Sequence, residues 1–136
     1  MKSEFVPYEL AVKLKKLGFD EPCFVLYKAS NNNQLAYAPH GIITNSQLSQ
    51  GDSNNIAAPL FQQAFRWFRE EHNLGHMING IGYESFLFNI GGLVTVFPMF
   101  KTYEEAELAC LDKMIEIVES KQQKTNTSEW NGPYAH

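Results

Sequence analysis

Long apolar runs are missing from this chain: no stretch of its 136 residues approaches the roughly 18 to 20 apolar residues needed to cross a bilayer as a helix. A membrane-spanning helix is excluded. Met1-Lys2-Ser3-Glu4-Phe5 also lacks the apolar stretch of a secretory signal, so a cytoplasmic location is the expectation. Cysteine is scarce as well. Cys23 and Cys110 stand alone in apolar surroundings with no CxxC spacing, which predicts buried structural thiols rather than a disulfide framework or a metal knuckle.

Positive charge is in deficit, with 11 basic against 15 acidic residues and a net charge of −4. The broad positive field that draws proteins onto nucleic acid or anionic lipid is therefore missing. Lys13, Lys15 and Lys16 do cluster, but they close a predicted helix, where cations offset the negative end of the macrodipole. Phosphate loops are absent too. Gly80-Ile81-Gly82 and Gly91-Gly92 match neither dinucleotide nor P-loop spacing and are turn glycines.

What the chain has is core material: hydrophobic residues make up 44% and phenylalanine alone is counted 10 times, enough for one domain that folds on its own. A first helix is predicted from about Pro7 to Leu17, closed by Gly18 and burying Leu10, Ala11, Leu14 and Leu17. Cys23 to Lys28 and Gln34 to Ala38 read as a hairpin about Asn31-Asn32-Asn33. A long polar loop, 39–56, follows, either mobile or holding a short element around Ile42 and Ile43. The second helix starts near Pro59 and ends before Gly75, with an aromatic stripe of Phe61, Phe65, Trp67 and Phe68.

Ile81 to Ile90 and Leu93 to Phe100 read as a second hairpin about Gly91-Gly92. Pairing outward from that turn puts Phe86, Phe88, Ile90, Leu93, Phe97 and Met99 on the face that meets the helices. Ser85, Asn89 and Pro98 fall on the other face. Tyr83, Leu87, Val94 and Val96 also lie there, an amount of apolar surface that predicts a homo-oligomer or another protein partner covering it. Thr102-Tyr103-Glu104-Glu105 fits a capping box opening a third helix through Lys121, with Ala106, Cys110, Met114 and Ile117 on one seam and Leu111, Ile115 and Val118 on the next. The expected fold is α+β: residues 1–121 as a two-layer sandwich, an antiparallel sheet of about four strands with three helices mainly on one face. Residues 122–136 are expected to be a disordered tail, in which Trp130 and Tyr134 are either partner anchors or plain tail residues.

Three segments, Val6 to Phe24, Ala57 to Leu74 and Lys101 to Val118, resemble a group of small proteins of phages and mobile elements of Bacteroides-type bacteria. The phrases that carry the resemblance are Pro7-Tyr8-Glu9-Leu10-Ala11, Phe19-Asp20-Glu21-Pro22-Cys23, Gln63-Ala64-Phe65-Arg66-Trp67-Phe68-Arg69 and Thr102-Tyr103-Glu104-Glu105-Ala106. It covers somewhat under half the chain. It implies a genomic setting and a shared fold, and carries over no catalytic or binding residue.

Few residues are arranged for chemistry. His72 and His76 have the four-residue spacing that aims two imidazoles at one zinc ion, with His40 free in the long loop, but Gly75 is expected to end the helix between them. A solvated helix terminus is the preferred reading, and no cofactor or metal is expected. Arg66, Trp67 and Arg69 combine charge and aromatic surface as nucleic-acid sites do, yet Glu70 and Glu71 neutralise the arginines. The pattern favours a non-enzymatic accessory or protein-interaction protein. The alternatives are a ligand binder or enzyme with a pocket between the 39–56 loop and the sheet, using His40, Tyr83 or His76, and a nucleic-acid-binding accessory protein.

Overall fold

The structure is a computed structural model and describes residues 4–51 and 54–130, with side chains through 123. The fold is α+β: among the described residues there are four α-helices and six strands, the strands divided between two antiparallel three-stranded sheets rather than gathered in one of about four. The sheets share a single apolar core with the three longer helices.

Helix α1 (Tyr8–Leu17) begins where Pro7 fixes the backbone and its carbonyl accepts from the Leu10 and Ala11 amides. It ends as the sequence predicts. Gly18 turns left-handed at φ 104°, its amide returns to Lys15, and the Phe19 amide returns to Leu14, the two bonds of a Schellman cap. Phe19 is thereby driven into the core, edge-on to Trp67.

Strands β1 (Val25–Lys28) and β2 (Gln34–Tyr37) form the predicted hairpin, with Asn32 and Asn33 supplying the left-handed residues of its turn. The 39–56 segment is not a bare loop. Ile43 bridges to Cys23, Thr44 and Gln47 form a reciprocal capping box for the short helix α2 (Asn45–Ser49), and β3 (Ile56–Ala57) completes the sheet order β2-β1-β3. Asn45 is the tie. Its buried side-chain amide donates to the Phe19 carbonyl and accepts from the Ala57 amide, both at 3.0 Å.

Helix α3 (Phe61–His72) buries the aromatic stripe, and the Gln63 side chain caps it, accepting from the Leu60 amide while donating to the Pro22 carbonyl. The stop is Asn73 in the left-handed conformation, with the Leu74 amide returning to Phe68, and not Gly75. Gly75 instead opens a strand that the periodicity missed. β4 (Gly75–Ile78), β5 (Ser85–Asn89) and β6 (Gly92–Val96) form a meander in which 79–84 is a turn and not the start of a strand.

Helix α4 (Tyr103–Trp130) opens on the predicted Thr102 cap, with the Glu105 amide donating to the threonine hydroxyl at 3.1 Å. Ala106, Cys110, Leu111, Met114, Ile115 and Val118 are buried along it against α1, α3 and the second sheet. Of the expected tail, 122–136, the part from 122 to Trp130 is helix, a stretch without glycine or proline, and 131–136 lie outside the described residues.

Candidate docking surface

The two faces of the β4-β5-β6 sheet are chemically different, and register decides which side chain lies where. The hairpin closes with Asn89 opposite Gly92, so its two-residue loop is Ile90-Gly91, one position earlier than a Gly91-Gly92 turn. The Asn89 side chain fixes the loop by accepting from the Gly91 amide at 2.8 Å, and Gly92 carries the positive φ at 124°. A bulge then leaves Val94 without an opposite residue, since Phe88 faces Leu93 and Leu87 faces Thr95.

The inner face consists of His76, Ile78, Ser85, Leu87, Thr95 and Phe97. Ser85 and Leu87 are fully buried beneath α4, and the small serine lets the helix approach with Cys110 above it. Leu87 is thus a core residue and not a partner contact, correcting its expected placement. Facing outward are Gly75, Met77, Phe86, Phe88, Leu93 and Val96. Met77, Leu93 and Val96 are 54%, 64% and 54% exposed, and the two phenylalanines are half-buried. Phe86, Phe88 and Leu93 therefore do not meet the helices as expected, whereas Phe97 does turn inward against the core. Gly75 and Phe88 lie opposite each other, and a Cβ at Gly75 would come within 2.9 Å of the ring. The phenylalanine accordingly lies flat along the sheet, an aromatic covering a cross-strand glycine.

The outward side chains within the three strands include no ionisable group and no side-chain amide. They can make no acid-base, metal or phosphate chemistry. They can exclude water against a matching apolar surface, and strand β6 at their border is an edge with unpaired backbone groups. Of the other partner candidates, Val94 is 39% exposed at the bulge, while Tyr83 is half-buried with its ring edge-on to Tyr103 at 6.3 Å. Trp130 ends α4, its side chain outside the described residues, and Tyr134 lies outside them altogether.

The titratable groups are used as packing material. His76 stacks on Phe65 with ring centroids 3.7 Å apart and planes 15° from parallel, and burial, with a contribution from Arg69, lowers its pKa to about 4. His72 closes α3 edge-on to Trp67 at 4.8 Å; burial lowers its pKa, Glu71 partly opposes this, and its Nε2 has no hydrogen-bond partner. His40 is exposed in the turn after β2. Among the described residues no three His, Cys, Asp or Glu side chains converge as metal ligands.

Burial pushes the Cys23 thiol up to about 12, reinforced by Glu21, and the Cys110 thiol up to about 11, against a modest lowering by Ser85. Both thiols stay protonated at neutral pH and are poor nucleophiles. The depression beside the 39–56 segment is lined by Lys15, Gly18, Phe19, Asp20, Asn45, Ser46, Ser49 and Gln50, and His40, Tyr83 and His76 take no part in it. Arg66 pairs with Glu70 at 3.7 Å and Trp67 is buried, so the arginines have no free stacking platform between them.

No family model, curated protein or solved structure matches the chain. Among the described residues, no helix is long and apolar enough to cross a membrane.

Proposed function

We propose that this chain is a non-enzymatic interaction protein that works by docking the outer β4-β5-β6 face onto another protein surface. The observation that carries the reading is the exposure of Met77, Leu93 and Val96 beside Phe86 and Phe88, on a sheet whose other face is already covered by α4. Apolar groups gathered on one exposed face are held out of water only by a partner, and leaving them solvated invites non-specific association. The resemblance of the helical segments to phage and mobile-element proteins supports an accessory role in such an element.

A photo-crosslinking residue placed at Leu93 or Val96, with Ser120 on the exposed side of α4 as control, tests the reading in the native host. Covalent protein adducts are expected from the two sheet positions and not from Ser120. The absence of any protein adduct at Leu93 and Val96 would overturn it.

A further inference from the structure

We propose that the occupant of the outer β4-β5-β6 face is a second copy of this chain, packed face to face about a two-fold axis. This rests on the docking reading above and adds the identity of the partner.

A two-fold interface brings each patch against itself, so a patch carrying charge of one sign meets that same sign. The chain carries a net charge of −4, and a face bearing acidic groups would repel its copy. Within its strands the outer face escapes that repulsion, because Met77, Phe86, Phe88, Leu93 and Val96 bear no charge. It also gives a foreign partner no charge to recognise, whereas apolar surface against the same surface leaves nothing unpaired.

Area agrees. With Met77, Leu93 and Val96 more than half exposed and both phenylalanines half-buried, the five residues present surface on the order of 400 Å², the size of the largest apolar patch on a monomer, which is often a functional one. Val94 and Ile90 at the hairpin end bring this to at most about 600 Å² per copy, or about 1,200 Å² for a pair that covers all of it. That is the lower bound for specific, stable interfaces, so a dimer in the micromolar range is expected rather than an obligate one. Relief agrees too: with Phe88 lying flat over Gly75 the face is low, and two such sheets can close to the roughly 10 Å separation of packed sheets.

Sedimentation equilibrium over about 1 to 300 µM, within the range where such interfaces associate, compares the natural chain with a Leu93→Lys, Val96→Lys double variant. The natural chain is expected to rise from 15.5 kDa to twice that mass with concentration. The double variant should stay at monomer mass throughout, with an unchanged far-ultraviolet circular dichroism spectrum. If it fails to fold, either single substitution replaces it, and the natural chain's series still decides. A natural chain that remains monomeric at the top concentration, or a folded variant that still dimerises, overturns the inference. A monomer whose Leu93 crosslinks to a different protein overturns only the second copy. A monomer with no adduct at all removes the docking reading as well.

Discussion

Asn45 joins three segments with one side chain: it belongs to α2, donates to the carbonyl after α1 and accepts from the β3 amide. All of this is buried, so removing the amide leaves a backbone carbonyl and a backbone N–H without partners, each costing about 1 to 3 kcal/mol. Asn45→Leu is predicted to lower the unfolding free energy by about 2 to 4 kcal/mol in urea titrations. A loss below about 0.5 kcal/mol would show that the bonds are exchanged for water. His76 gives a pH signature. Its folded pKa, about 4, lies below the unfolded 6.5, so the unfolded chain takes up a proton that the folded chain refuses. The contribution is fully present above pH 6.5 and is lost as pH falls from 6.5 through about 4. His72, also lowered by burial, acts in the same direction, while Glu107, raised by burial and Glu104, stabilises the acid side and opposes both. His76→Phe keeps the stacking on Phe65 and is predicted to flatten the slope of stability against pH in that window. Equal slopes in the two proteins would contradict the assignment.

Among the elements, α2 is the one most dependent on its surroundings, since five residues do not hold a helix in water. Besides its capping box, the Asp20 carboxylate accepts from the Ser46 amide at 2.7 Å and from the Ser46 hydroxyl. Asp20→Ala is predicted to cost about 1 kcal/mol and to speed proteolytic cleavage within 40–50, leaving the second sheet as resistant as before. Unchanged cleavage there would mean that Asn45 and the Thr44 box suffice. The helices α1 and α3 and the start of α4 were legible in the sequence because their signals are local: Gly18, a proline at each of two starts, Thr102 and apolar spacing. The second sheet was not. Leu87 and Phe88 are both apolar, so alternation names two faces without saying which is inside, and that depends on α4, distant in the chain. The earlier turn moves the pairing by two residues and leaves the faces as they were, but the unpaired Val94 shifts the partner strand by one, which exchanges its faces from Thr95 onward. Asn45 and Asp20 were hidden for another reason: each is a turn-forming residue in its own stretch, and only the fold brings them together.

At the scale of the whole molecule, α4 holds the chain together by burying its seams against α1, α3 and the inner face of the second sheet. The sheet is thus asymmetric, one face sealed by a helix and the other apolar and open. The face assignment follows most directly from a pair of substitutions measured by urea unfolding at low micromolar concentration, where association adds little by mass action. Leu87→Ala should cost about 2 to 5 kcal/mol, as a cavity beneath α4, and Leu93→Ser should stay within about 1 kcal/mol of the natural chain. If Leu93→Ser proves the more damaging and Leu87→Ala is tolerated, the sheet faces the other way and the docking surface is lost with it.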